Sequence, residues 1–491
     1  MKAEAAVQRG GRRSDVMGEG SIWKLLYHFS GPSIISMLVA SSYNLVDAVF
    51  VGMLGPEYQA AMTVVMPLLM LFMAFAQGIG VGGGSFIGRS LGAKKYDEAN
   101  KICGVTISLM LIISAILTVL LIPSLNWILP LFGASGRVTE LAYIYGSICI
   151  WFTFMNCMNQ VLANIVRAEG NPMLSSTVQI ISAVCNIITD PIFILGWGPI
   201  PRLEMAGAAG TTVFSWAVGI GIYAYYFIAH KTQFSLKWSD FIPDFKIIGE
   251  ILRVGTASIV RLLAGSFVQI FGNAQAAAFG VIPLAIKGVL MRAGSFFFMP
   301  TMGIGQGVLP LLAYNYGARK KGRMGEILFK SCLLGVSWGG FCFIGAMFFP
   351  RFLMGFFGTD PEFLEVGSTA LRLFSIAFFT IGVQMIMSFY FQAVGEGLAA
   401  LILASSRQII FLLPLMYILP RHFGVTGLWL TFPGADLMAF GVTMTWSVIS
   451  LKKHGIPITM HPAPDIVSEE ELRAASAEGK KPRTEIDLSE P

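Results

Sequence analysis

Charge is scarce in this chain. Only 13% of its 491 residues are Asp, Glu, Lys or Arg, about half the share usual in soluble domains, while 55% are hydrophobic and the mean hydropathy is +0.69. That shortage excludes a soluble enzyme. Cysteine is scarce as well: Cys103, Cys149, Cys157, Cys185, Cys332 and Cys342 all lie inside apolar runs and form no C-x-x-C pair. They read as small packing residues, not as a disulfide framework or a zinc ribbon. His28, His230, His422, His454 and His461 stand at run ends or between runs without ligand spacing, so no metal site is expected from them. No N-x-[ST] acceptor occurs, which suits a prokaryotic protein. The N-terminus lacks a short apolar region followed by a small-residue cleavage site, so the first span is expected to stay in the mature chain.

What fills the chain instead is long apolar runs. A hydrocarbon core about 30 Å thick needs about 20 apolar residues per helical crossing. Twelve such runs are expected, near 28–52, 60–87, 100–122, 138–162, 173–196, 206–229, 250–275, 284–312, 326–348, 367–392, 397–419 and 424–451. The net charge of +6 is spread over alternate loops: Arg89, Lys94, Lys95, Lys101, Lys231, Lys237, Lys246, Arg319, Lys320, Lys321 and Arg323. The opposite loops carry scattered Arg137, Arg202, Arg351 and Arg421. This positive-inside pattern, with Arg9, Arg12, Arg13 and Lys24 before the first run and Lys452 and Lys453 after the last, places both termini in the cytoplasm of a multi-pass plasma-membrane protein. It argues against a nucleic-acid partner.

The chain also repeats itself. Gly78-Ile79-Gly80-Val81-Gly82 followed by Gly92-Ala93-Lys94-Lys95 returns as Gly303-Ile304-Gly305-Gln306-Gly307 followed by Gly317-Ala318-Arg319-Lys320, at an offset of 225 residues (303 − 78). The same offset relates Gly133 to Gly358 and Ala168-Glu169-Gly170 to Ala393-Val394-Gly395. Each copy holds six spans, an even number, so the copies are parallel repeats with a substrate site expected at their interface. The glycines from 78 to 84 lack the lysine and serine of a phosphate loop and read as helix-packing positions. The expected organisation is a disordered cytoplasmic tail over 1–20, a six-helix lobe over 21–230, a cytoplasmic linker over 231–249, a second six-helix lobe over 250–455 and a disordered tail over 456–491. The fold class is an all-α polytopic membrane protein, twelve transmembrane helices in two pseudo-symmetric six-helix bundles.

Two acids stand where acids are costly. An acidic side chain at the centre of a bilayer helix costs roughly 2.5 to 3.5 kcal/mol, so Asp47 and Asp190 call for a compensating ion, proton or partner. Tyr43 and Asn44 lie within one turn of Asp47, as Asn186 does of Asp190. Pro191 has no amide hydrogen, which frees the Ile187 carbonyl. Gly210-Thr211-Thr212 on the next span adds hydroxyls. Asp47, Asn186, Asp190 and Thr211 therefore form an oxygen set that suits a hard cation such as sodium, and desolvated carboxylates of this kind equally accept protons. The bland alternatives are a solvated Asp190 near the outer end of its span and an Asp47 that hydrogen-bonds locally. Arg261, Arg292, Arg407 and Asp436, all in the second half, read as structural pairs or snorkelling groups, and Lys287 as interfacial. Among 38 Phe and 25 Met, residues such as Met66, Met70 and Met155 suit either lipid contact or an adaptable cavity.

The early Pro32, the run Asp47-Ala48-Val49-Phe50-Val51-Gly52-Met53-Leu54-Gly55, the basic turn at Gly92 and Asn186-Ile187-Ile188-Thr189-Asp190-Pro191, in this order over about residues 20–455, resemble the multidrug and toxic compound extrusion (MATE) family, and in the first-lobe acids its DinF-type subgroup. The resemblance implies a V-shaped pair of bundles, a central cavity, and export of cationic or amphipathic small molecules by antiport with Na+ or H+. It implies no cofactor beyond that ion, a monomer, and no enzymatic activity. It carries the ion-coupling role to Asp47, Asn186, Asp190 and Thr211, which would be the Na+ ligands in a sodium-coupled protein, and substrate-cavity roles to Tyr43, Asn44, Met70, Tyr145 and Gln160. The chain departs from the NorM-type pattern: the seventh span has Gln269 and the tenth Gln384, and neither holds that subgroup's carboxylate. A lipid-linked saccharide flippase of the same wider superfamily is the rival, disfavoured because its first lobe should hold cations for a diphosphate. An intramembrane enzyme is the remote alternative; neither a Gly-x-Gly-Asp protease motif nor a pair of Asp-rich metal motifs occurs.

Overall fold

The computed structural model describes residues 13–196, 202–358 and 360–458, and these are almost wholly helical, with no strand among them. The spanning helices are α1 (Ile22–Gly52), α2 (Pro56–Gly92), α3 (Tyr96–Leu131), α4 (Arg137–Ala168), α5 (Pro172–Leu195), α6 (Glu204–Ile228), α7 (Phe245–Ala277), α8 (Val281–Gly317) and α9 (Lys321–Phe348). The tenth, α10, is a pair of helices, Pro361–Ser375 and Phe378–Val394, bent by 44°. Nine helices among the described residues are long and apolar enough to cross a membrane, or ten with the bent pair. The last of the nine, Gly397–His454, has 58 residues, far more than one crossing needs. Gly424, at φ 58°, breaks it into α11 (397–423) and α12 (425–454). With α1, of 31 residues, the total is twelve.

Local chemistry sets where these helices begin. Pro56, Pro172 and Pro361 open theirs, where a missing amide hydrogen costs nothing. Asn171 caps α5 by accepting from the Leu174 amide at 3.3 Å, and Asp360 caps α10 by accepting from the Phe363 amide at 2.9 Å.

The sequence repeat is a structural repeat down to single backbone angles. Positive φ values recur at the same offset: Gly55 and Gly280 (135° and 111°), Lys94 and Arg319 (59° and 58°), Gly170 and Gly395 (98° and 83°), and His230 and Gly455 (51° and 62°). The lobes meet by the same rule. A β-carbon on Gly78 of α2 would fall 2.4 Å from Ile259 of α7, and one on Gly303 of α8 would fall 2.8 Å from the matching atom of Ile34 on α1. One turn on, Gly82 abuts the Ile251 carbonyl and Gly307 abuts Phe29 and Ser30. At the end that carries the basic loops, Gly92 rests on the Tyr314 carbonyl and Gly317 on that of Arg89. Close approach of two backbones leaves no room for a side chain, which is what these glycines supply.

Several boundaries differ from the sequence expectation. Residues 13–20, expected in a tail, instead form two short helical turns beneath the basic end, with Met17 fully buried. Arg13 donates to Tyr226 Oη at 2.9 Å in the first lobe, and Lys320 and Arg323 of the second lobe donate to the Gly18 and Gly20 carbonyls at 2.9 and 2.7 Å. Local composition hid this, because the stabilising partners lie some 200 to 300 residues away. The helix α7 begins at Phe245, inside the expected linker, because Asp244 caps it by accepting from the Lys246 amide at 3.0 Å. Ile456, expected in the C-terminal tail, is buried, and the Pro457 carbonyl lies against Gly325. The expected tail segments 1–12 and 459–491 lie outside the described residues.

Lys287, expected at an interface, is enclosed by protein. It is 2% exposed, and its ammonium donates to Asn273 Oδ1 at 2.6 Å and to the Gln269 carbonyl at 3.3 Å. Arg407 pairs with Asp436, whose backbone carbonyl accepts from Gln384 at 3.1 Å, and Arg261 stacks 5.7 Å from the centre of the Phe389 ring. Arg292 is exposed.

Candidate ion-coupling site

Three helices of the first lobe, α1, α5 and α6, pack together and bring the expected oxygens into one buried cluster. Asp190 is fully buried, although only about one and a half turns of α5 separate it from the outer end. It is therefore not a solvated terminus. Its Oδ1 accepts from the Thr211 hydroxyl at 2.7 Å and from the Asn186 amide at 3.3 Å. Thr211 in turn donates within its own helix to the Ala208 carbonyl at 3.0 Å as a shared bond. Thr212 turns to the same carbonyl at 2.9 Å and stays out of the cluster. Pro191 sits one residue on, inside α5, so the helix passes the acid with one backbone bond missing.

Asp47 reaches the cluster from α1 and is 9% exposed. It and Asp190 are near enough for their charges to repel. Tyr43 and Tyr145, the latter buried, also lie within electrostatic reach of Asp47. Three acceptors in this region, Asp47 Oδ1, Asn186 Oδ1 and Asp190 Oδ2, are buried without a hydrogen-bond partner. Native proteins rarely leave one such oxygen unpaired, and these three, on two acids and an amide, are all hard ligands. No group of three or more His, Cys, Asp or Glu side chains arranged to hold a metal occurs among the described residues, so any cation here relies on amide, hydroxyl and carbonyl oxygens as well as the acids.

The other expected cavity residues scatter. Met70 lies on α2 at the lobe interface, half-exposed, 3.6 Å from the Ser266 hydroxyl of α7. Gln160 lies towards the basic end of α4, where its carbonyl accepts from Asn164 at 2.8 Å, well away from the acids. The Asn44 side chain lies outside the described residues. One polar group that sequence reasoning missed is Arg167, 2% exposed on α4, which donates to Gln306 Oε1 of the second lobe at 2.8 Å and to Asn164 Oδ1 at 3.2 Å. Its signal was its place in the last turn of a helix that runs six residues beyond the expected span.

Comparison with known proteins matches both halves. A model of the MatE family fits residues 32–192 and again 257–418. Multidrug export protein MepA of Staphylococcus haemolyticus (strain JCSC1435) is 27% identical over 424 residues, 86% of this chain and 92% of the relative. MepA of Staphylococcus aureus (strain MSSA476) is 27% identical over 408 residues, 83% and 89% of the two chains. Among solved structures, a multidrug resistance MATE family transporter in an outward-facing conformation superposes with TM-score 0.83 at 26% identity, covering 89% of this chain and 98% of that one. A MOP superfamily transporter from Pyrococcus furiosus Vc1 (DSM3638), described as having a binding pocket of reverse polarity, superposes with TM-score 0.84 at 26% identity, covering 90% and 98%.

Proposed function

The chain belongs to the MatE family, and on that footing we propose that it exports cationic or amphipathic small molecules from the cell by antiport with Na+ or H+ bound in the first lobe. It is a multidrug efflux transporter, not an enzyme. The observation that carries the coupling assignment is the trio of unpartnered buried oxygens on Asp47, Asn186 and Asp190. A proton satisfies one carboxylate oxygen, whereas a sodium ion takes several hard oxygens, so a set of three favours sodium. The first-lobe acids align the chain with the DinF-type subgroup. The positive-inside rule supports a cytoplasmic side for the basic loops, for the closed end of the lobe interface beside them and for both termini. A monomer with no resident cofactor suffices for this reading.

The geometry suggests how the ion is coupled to the lobes. With the site empty, repulsion between Asp47 and Asp190 opposes close packing of α1 on α5; a bound cation removes that repulsion and draws the two helices together. The same α1 forms half of the inter-lobe seam through Ser30 and Ile34. An ion that changes how α1 sits on α5 thus acts on the surface that holds the cytoplasmic end shut, with Pro32 and Pro191 as the points where the helices yield most cheaply. Dye efflux from proteoliposomes under separately imposed sodium and pH gradients tests this. Asp47→Asn should insert normally and lose gradient-driven efflux; full transport by that variant overturns the assignment.

A further inference from the structure

The offset of 225 places Gly272 at the position of Asp47, and the matching seats of Gly207 on the Phe193 carbonyl and Gly427 on that of Leu419 place Met416 at the position of Asp190 and Thr431 at that of Thr211. The second lobe has therefore lost both acids at the equivalent site. The space is filled from another helix. A β-carbon on Gly272 would stand 2.7 Å from Cε and 3.1 Å from Nζ of Lys287, so the lysine head lies where the side chain corresponding to Asp47 would begin. Gly272 has no positive φ that would explain the glycine. Room for the lysine explains it.

The ammonium is held by oxygen, donating to Asn273 Oδ1 and the Gln269 carbonyl, and no carboxylate pairs with it among the described residues. The buried acid of this region, Asp436, is engaged by Arg407. A buried ammonium without a counter-ion is expensive in a membrane protein, so it calls for a function as the unpaired acids of the first lobe do. The two lobes are complementary in this respect. The first has unpartnered oxygens and no cation of its own; the second has a cation, covalently tethered, in an oxygen cradle at the corresponding place.

We propose that Lys287 is a tethered cation that takes, in the second lobe, the place the transported ion takes in the first, so that the second lobe stays permanently loaded and the first alone exchanges an ion during transport. The proposal rests on the first-lobe reading above and deepens it by setting how many sites exchange. Lys287 is on this view a positioning residue: it holds α7 against α8 in the loaded arrangement and touches no substrate.

The test uses the full chain in proteoliposomes. Lys287→Ala should reduce gradient-driven dye efflux by about tenfold or more, the factor lost with a buried charge-assisted hydrogen bond. Millimolar ethylammonium should restore it, while ethanol, of similar shape but uncharged, should not. Wild-type efflux by Lys287→Met overturns the proposal. So does loss in a Lys287→Ala protein of wild-type melting temperature that ethylammonium fails to restore. Should neither variant fold, the lysine-containing Asp47→Asn, Asp190→Asn protein decides: substrate-coupled uptake of sodium and protons should vanish, and any residue of it reveals a second exchanging site and overturns the proposal. Failure of the first-lobe reading has a different signature, full export by Asp47→Asn while Lys287→Ala remains dependent on ethylammonium.

Discussion

Thr211 donates its hydroxyl hydrogen to Oδ1 of Asp190 across 2.7 Å, joining α6 to α5 at the one carboxylate oxygen that has partners. The bond fixes one oxygen of the carboxylate and leaves Oδ2 buried without a partner. Replacing Thr211 with Val keeps the shape and deletes the donor, at a cost of about 1.5 to 3 kcal/mol for a hydrogen bond to a charged acceptor. Efflux by Thr211→Val should fall roughly tenfold or more with a weaker response to the driving ion, and Thr211→Ser should recover most of it. Ion-concentration dependence of efflux in proteoliposomes reads both.

The inter-lobe glycines give a prediction about conformation. A β-carbon on Gly82 would stand 2.1 Å from the Ile251 carbonyl, a backbone atom that cannot swing away. Gly82→Ala should therefore open the cytoplasmic seam, with a strain of about 1 to 3 kcal/mol against the closed state. Distances between spin labels on the basic loops of the two lobes should lengthen. Gly249→Ala, at a helical position where nothing lies within 4 Å, should leave them unchanged.

Arg167 latches the same seam from inside. Its bond to Gln306 is buried and crosses between lobes, so Arg167→Met removes a charge-assisted bond and strands the Gln306 and Asn164 oxygens. The closed state should lose about 2 to 3 kcal/mol, enough to raise the population of the alternative state many-fold. A double-mutant cycle with Gln306→Leu should show strong coupling; additive effects would detach the latch from the pair.

Glu396, in the turn between α10 and α11, supplies a pH dependence. Burial pushes its carboxyl up, but hydrogen bonds from Lys453, His454 and Ser450 outweigh this and hold it below the usual glutamate range. A depressed folded-state pKa stabilises the protein above the unfolded value, and that contribution fades as pH falls through the folded one. Melting temperature in detergent should therefore decline below about pH 4.5. Glu396→Gln should start lower at neutral pH and decline less.

Much of this was legible in the sequence because it depends on local or additive properties. Hydropathy placed the spans, since a lipid-facing helix must be apolar along its whole length. The offset between Gly78 and Gly303 exposed the duplication, and the cost of a buried acid singled out Asp47 and Asp190. Asn186 was found for a simple reason: it lies one turn from Asp190 on the same helix, and the hydrogen bond its amide donates to Asp190 at 3.3 Å follows from that spacing.

Tertiary structure alone decided the rest, because it depends on which distant surfaces meet. Residues 13–20 looked like a tail until Tyr226, Lys320 and Arg323 came to hold them. The burial of Lys287 was hidden because its sequence neighbours say nothing of Asn273 on the facing helix. The glycine at 272 carried no message until the lysine head was seen in its place. A sequence shows which residues cannot afford to be alone in a membrane; packing of helices far apart in the chain determines the partner each one finds.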